Sequence, residues 1–223
     1  MLARIVHRSR CRFDHSDGPL KYDDIAQAAG LVHLTALGGF HEDGATTILL
    51  GPREPGFWDH VSVHPAFKGD EPLDNWSDAT ITELADQLSA TPLFPFGGPP
   101  YNAFISWALK SGETWQSPVG LLVQKDAGLL VSYRGALRFD HHIDLPTPAT
   151  SPCDTCADKP CLTACPVGAI GADGCDVPAC KAHIATDPVC RTGCRVRLSC
   201  PISQSYGRTP AQTAFHMEAF VRE

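Results

Sequence analysis

No run of apolar residues in this 223-residue sequence approaches the roughly 18 that a membrane-spanning helix needs, so no membrane association is expected. The first eight residues, Met1-Leu2-Ala3-Arg4-Ile5-Val6-His7-Arg8, hold no long apolar stretch of the secretory kind, and a cytoplasmic location is expected. Neither a Gly-x-Gly-x-x-Gly nor a Gly-x4-Gly-Lys-Ser/Thr string occurs, which removes two phosphate-cradling signatures. An excess of basic residues is also lacking. The chain has 18 Lys and Arg against 25 Asp and Glu, a formal net charge of −7, which argues against a dedicated nucleic-acid binder. There is no internal repeat at solenoid periods and no low-complexity tract. Cysteine is scarce too, but only in the first 150 residues, where Cys11 stands alone.

The other nine of the ten cysteines fall in the last 71 residues. Thiols at that density in a reducing compartment point to metal binding over disulfides. Charge divides at the same place. Residues 1–150 carry 11 Lys/Arg and 18 Asp/Glu, and residues 151–223 carry seven of each. Between the halves, Leu145-Pro146-Thr147-Pro148-Ala149-Thr150-Ser151-Pro152 has three prolines in eight residues and reads as an extended connector. The expected organisation is a domain over 1–145, a Pro-rich linker over 146–152, and a cysteine module over 153–223.

Within the first domain, Tyr22–Ala29 reads as a short helix ended by Gly30. Leu31–Leu37 and Thr46–Leu50 read as strands around a turn-rich Gly38–Gly44. Asp74–Leu88 is the clearest helix, with Ser77, Ile81, Leu84 and Leu88 on one face and Ala85 beside them. Tyr101–Lys110 reads as another helix, entered through Pro99-Pro100 and stopped by Gly112. Val119–Gln124 and Leu129–Phe139 flank Lys125-Asp126-Ala127-Gly128, a hairpin signal. The fold class expected is α+β: a mixed α/β N-terminal domain with a partly antiparallel sheet, then a small module. Trp58, Trp76 and Trp107 are expected in the core. His141 and His142, adjacent on a strand, would point to opposite faces, one buried and one exposed.

Cys153-x2-Cys156-x4-Cys161-x3-Cys165-Pro166 is the strongest chemical signal. An iron–sulfur cube needs thiolates converging from several sides, so a tight loop supplies three and a distant segment the fourth. A second set follows: Cys175, Cys180, Cys190, Cys194 and Cys200-Pro201. Two Cys-Pro steps closing two cysteine-rich runs suggest two clusters. Zinc is the main competitor, because four-cysteine zinc sites also use Cys-x2-Cys pairs. Such sites join two pairs across a long spacer, whereas here four cysteines fall within Cys153–Cys165. Cys175 and Cys11 have no place in the motif and read as small buried apolar residues. Arg191, Arg195 and Arg197 either dock an anionic partner or offset cluster charge.

The stretch from Cys153 to Cys165, followed by Pro166-Val-Gly-Ala-Ile170, resembles bacterial-type two-cluster ferredoxin domains. Its four-residue gap between the second and third cysteines is similar to that in iron–sulfur subunits of molybdopterin oxidoreductases. The longer context is similar to the C-terminal half of epoxyqueuosine reductases, where a hairpin leads into a ferredoxin module, then a lone cysteine and a closing set. Here Val119–Phe139 matches the hairpin, Cys180–Thr186 the lone-cysteine segment, and Cys190–Pro201 the closing set. The acidic catalytic motif and helical repeats of that family have no counterpart in these residues. The resemblance implies two 4Fe–4S clusters with crossed ligation: Cys153, Cys156, Cys161 and Cys200 on one, Cys165, Cys180, Cys190 and Cys194 on the other.

Leu93-Phe-Pro-Phe-Gly-Gly-Pro-Pro-Tyr101, followed by a Trp107-bearing helix, is faintly similar to cobalamin-processing proteins, which implies cobalamin or another redox-active ligand. Candidate cofactor-binding residues are Phe96, Gly97, Gly98, Tyr101 and Arg134, with Arg138 expected on the same strand face as Arg134. The competing reading makes the aromatics core and the arginines surface ion pairs. Three functions are therefore expected to compete: one-electron transfer to a redox partner protein or small redox ligand, a cobalamin-dependent reductase, and a zinc-stabilised interaction module. No nucleophile, acid–base pair or phosphate loop marks residues 1–150 as catalytic, and nothing in the sequence speaks to oligomeric state.

Overall fold

The computed structural model describes residues 18–222, so Cys11 and the first eight residues lie outside the described residues. The chain is α+β. Helix α1 (Tyr22–Leu31) leads into strands β1 (Leu34–Glu42) and β2 (Ala45–Pro52). Then come α2 (Phe57–Val61), α3 (Pro72–Leu88), β3 (Thr91–Leu93), α4 (Phe104–Lys110), β4 (Thr114–Gln116), β5 (Leu122–Gln124) and β6 (Gly135–Phe139). After the connector, β7 (Ile170–Gly171) and β8 (Gly174–Cys175) precede α5 (Val177–Ile184), α6 (Pro188–Thr192), α7 (Arg195–Ser199), α8 (Pro201–Ser205) and α9 (Pro210–Arg222).

The main sheet has the order β1-β2-β6-β3, and every neighbouring pair is antiparallel. Strand β2 is buried along its whole length because both faces are covered. Side chains alternate across a strand, so Ile48, Leu50, Leu137 and Phe139 join Ile25, Trp76, Ile81 and Leu84 of α1 and α3 in one core. Leu49 and Ala136 join Phe104 and Ala108 of α4 in another. The apolar face read at Ser77, Ile81, Leu84 and Leu88 is the buried face of α3. Trp76 is fully buried, while Trp58 and Trp107 are half-buried.

Several local expectations differ from the structure. Helix α1 runs through Gly30 and stops at Val32-His33, and α4 begins at Phe104. The turn-rich Gly38–Gly44 is mostly strand: β1 continues to Glu42, and only Asp43 and Gly44, at φ 52 and 75, make the two-residue turn. Gly38-Gly39 is a β-bulge, where the register slips between Ala36 and Gly39. A Cβ on Gly39 would sit 2.7 Å from the Thr47 carbonyl oxygen.

The expected Val119–Phe139 hairpin does not form. Strand β5 pairs with β4, and β6 pairs with β2 and β3. Lys125–Gly128 does turn the chain, closed by Gly128 N–H donating to Gln124 O at 2.8 Å. Beyond it the chain leaves β5 for the main sheet. Period-two patterning sets which face a residue takes but not which strand it pairs with.

His141 and His142 follow the end of β6 and are both exposed, so the alternation expected of a strand does not apply. Arg134 lies one residue before β6 and does not share a site with Arg138. Its guanidinium is buried and donates to Asp74 of α3 at 2.7 Å, whereas Arg138 approaches Asp140 at 3.8 Å.

The C-terminal residues pack back on the first part of the chain. Phe215 of α9 packs at a tilt against Trp58 and Phe67 at centroid distances of 5.1 and 5.7 Å, and the Tyr206 hydroxyl donates to Pro52 O at 2.6 Å. Val119, Val123 and Leu129 share a third core with Cys161, Ile170, Val196 and Cys200. The cysteine region is thus built from both sides of the connector. Among the described residues no helix is long and apolar enough to cross a membrane.

Candidate metal centres

All nine described cysteines are free thiols. Eight of them gather in two groups of four. Cys153, Cys156, Cys161 and Cys200 line one cavity of about 380 Å³, walled by Val123, Leu129, Pro118 and Ile202. The first three come from the loop after the connector, with Cys161 in a 3-10 turn over Pro160–Leu162. Cys200 comes from the α7–α8 junction, where Pro201 starts the new helix.

The second group is Cys165, Cys180, Cys190 and Cys194, which line one tight cavity with His183, Ile184, Arg195 and Val196. Helix α5 presents Cys180. Its first turn is capped by Asp176, whose carboxylate accepts from Ala179 N–H at 3.0 Å. Helix α6 presents Cys190. Asp187 caps it, accepting from Val189 N–H at 2.7 Å and Cys190 N–H at 3.1 Å. Each cap satisfies backbone donors left open at a helix start and fixes the turn that carries the thiol.

Cys175 ends β8 and is exposed; with Cys180 and Cys194 it lines a separate cavity of about 360 Å³ beneath α9. That cavity is also lined by Ser132, Arg197, Arg208 and His216. Arg197 donates to Leu129 O at 2.6 Å, and neither Arg197 nor Arg208 enters an ion pair among the described residues. Nε and Nη2 of Arg208 and Nε2 of His216 are buried without a hydrogen-bond partner among the described residues. Arg191 and Arg195 are exposed, and Arg195 lies 3.5 Å from Asp187.

Burial pushes the Cys153, Cys161 and Cys190 thiols above the usual thiol range. Cys180 is pushed up to about 11, first by burial and then by Cys175, Cys194, Cys165 and Cys190 around it. Thiols so placed stay protonated unless a cation takes the proton's place. Burial also lowers Arg208 to about 10, while it drives His216 down to about 3 and so keeps its ring neutral.

Spacing bears on what each group holds. Tetrahedral zinc with Zn–S near 2.3 Å needs sulfurs about 3.8 Å apart. Among the described residues, the trio of His, Cys, Asp or Glu ligand atoms lying within 4.8 Å of one another is His183, Asp187 and Cys190. No three of the grouped thiols meet that limit. In the trio, Asp187 is already engaged as helix cap and lies 3.0 Å from His183 Nε2.

Gly128 was legible only as a turn residue. At φ +59 its Cα faces the first group: a Cβ there would lie 3.0 Å from Cys200 Sγ and 2.6 Å from Ser203 N. Val119, Val123, Leu129, Arg208 and His216 also escaped the sequence reading, since nothing local to them signals a cysteine far along the chain. Of the proposed ligand-binding loop, Phe94 and Phe96 stack at 5.1 Å, and Asn102 donates to Phe94 O at 2.9 Å. Phe96, Gly97, Gly98, Tyr101 and Arg134 line none of the cavities that hold the cysteines. Comparison with protein-family models, curated proteins and solved structures gives no match.

Proposed function

We propose that this chain is an iron–sulfur redox protein carrying two 4Fe–4S clusters, and that it passes single electrons to a partner protein or small redox ligand. The observation that carries the reading is the partition of the thiols. Cys153, Cys156 and Cys161 meet Cys200 at one cavity, and Cys165 meets Cys180, Cys190 and Cys194 at another. Each group thus draws on both Cys-Pro runs, which is the crossed ligation of a two-cluster ferredoxin-like module. No three thiols of either group lie within 4.8 Å of one another, so neither is preformed for a single tetrahedral zinc ion.

A 4Fe–4S cluster supplies a one-electron couple when bound. The chain's own residues do the rest. Four thiols per group hold it, Val119, Val123, Leu129 and Val196 keep water from the first site, and Gly128 lets the 125–128 turn close over Cys200. A cytoplasmic setting fits nine free thiols. The test is anaerobic purification followed by dithionite reduction. Bleaching of a broad sulfur-to-iron absorbance, with EPR signals of reduced clusters, is expected. A colourless chain holding stoichiometric zinc refutes the reading.

A further inference from the structure

The two cysteine groups differ sharply in the charge around them. Charged residues at the first cavity are Asp158 and Lys159, of opposite sign and both exposed, and the remaining lining is apolar or neutral. Arg195 lines the cavity of the second group, and Arg197, Arg208 and the neutral ring of His216 line the adjoining cavity that shares Cys180 and Cys194 with it. Asp187 offsets Arg195 at 3.5 Å, and His183 lies against the same carboxylate. Glu54 is the acidic group facing Arg208, and burial raises its carboxyl toward the neutral form. Arg197 is half-buried beside Cys194 and Cys175 and has no ion-pair partner among the described residues. Arg195 and Arg208 thus face Asp187 and Glu54, and the positive charge of Arg197 has no such carboxylate against it among the described residues.

We propose that Arg197 and Arg208 make the second site the electron sink of the pair, with a reduction potential above that of the first. The proposal rests on the two-cluster reading above. Reduction adds one negative charge to a site already made negative by four thiolates. Buried cations with little water to screen them stabilise that added charge most. The Arg208 Nε and Nη2 donors that lack partners supply further stabilisation. An electron delivered to the first site by an external one-electron donor then moves to the second: the first is oxidised by one electron, the second reduced by one, and no bond is made or broken. Arg197 and Arg208 act through the thiolates as tuning residues and touch no substrate.

The experiment is a potentiometric titration followed by EPR, on the full chain purified anaerobically, with iron counted in every sample. The wild type is expected to reduce in two resolved steps. Arg197→Gln and Arg208→Gln should each lower the higher step, with the electron partition between sites falling at least tenfold for Arg197→Gln, which is about 59 mV for a one-electron couple. Arg197→Lys keeps the charge and should restore most of the shift, and Lys159→Gln should leave the higher step in place. Two coincident steps in the wild type overturn the proposal even if an arginine variant fails to load. So does a shift confined to the lower step, or no shift at full iron content. A wild-type chain without about eight irons overturns the cluster reading itself, a failure visible before any potential is measured.

Discussion

Replacing Gly128 with alanine separates a conformational requirement from a packing one at the first cysteine group. Gly128 has φ +59, and an L-residue held there costs about 1–2 kcal/mol. The added Cβ also meets the Ser203 backbone nitrogen at 2.6 Å, Ser203 Oγ at 2.7 Å and Cys200 Sγ at 3.0 Å. Backbone at the start of α8 cannot swing aside as a side-chain tip can, so overpacking adds about 1–3 kcal/mol. The expected loss is about 2–5 kcal/mol in all. Gly44→Ala is the matched control: its φ is +75, yet nothing lies within 4 Å of the added Cβ. It should lose only the conformational share. Urea unfolding of both variants, with iron measured on the same samples, reads the difference. Gly128→Ala should also shed iron from the site that holds Cys200, and Gly44→Ala should not. If the two variants are equally stable and equally loaded, the close packing of the 125–128 turn on Cys200 is wrong.

Three further outcomes are expected. Cys180→Ser should lose about half of the bound iron and Cys175→Ser almost none, because Cys180 lines the tight cavity with Cys165, Cys190 and Cys194 while Cys175 is exposed and does not line it; elemental analysis showing loss only from the Cys175 variant would reverse the assignment. Removing metal with a chelator should open Cys153–Ser205 together with Val119–Leu129 to hydrogen exchange while β1, β2 and β6 stay protected, since the first group shares its core with the 119–129 segment and metal binding supplies folding energy to so small a module; unchanged exchange after metal loss contradicts this. His216 has a folded pKa of about 3 against about 6.5 when unfolded, so the unfolded chain binds the extra proton between those values and stability falls as pH drops through that window. From pH 7 to pH 5 the loss is about 2 kcal/mol, and His216→Gln should remove that slope; parallel stability–pH curves for the two proteins would contradict it.

Much of this arrangement was legible in the sequence for physical reasons. The two cysteine-rich runs and their Cys-Pro steps are local features; the division of the thiols into two sets is what the resemblance to two-cluster ferredoxins implies, and those residues line two cavities. The buried face of α3 follows from 3.6-residue periodicity over 17 residues. Strand partners were not legible. Leu129–Phe139 reads as a strand, but only Gly135–Phe139 forms one, and its pairing with β2 and β3 instead of β5 is decided by which apolar faces need covering in three dimensions. Gly38-Gly39 carries the composition of a turn and serves as a bulge, because the same freedom of backbone suits both. Arg134 reads as a pocket residue or a surface ion pair on one strand face with Arg138, yet it is buried against Asp74, sixty residues earlier in the chain. The wall beside the second group depends on Arg208 and His216, which meet Cys180 at one cavity only once the chain after α8 folds back.

Counting iron and acid-labile sulfide after breaking each thiol group in turn tests the central claim most directly. The wild type should hold about eight of each per chain. Cys156→Ser should remove about half and leave the second group loaded, and Cys194→Ser should remove the other half and leave the first. A chain that binds zinc in place of iron, or one in which either substitution leaves the iron content untouched, contradicts two independent iron–sulfur sites.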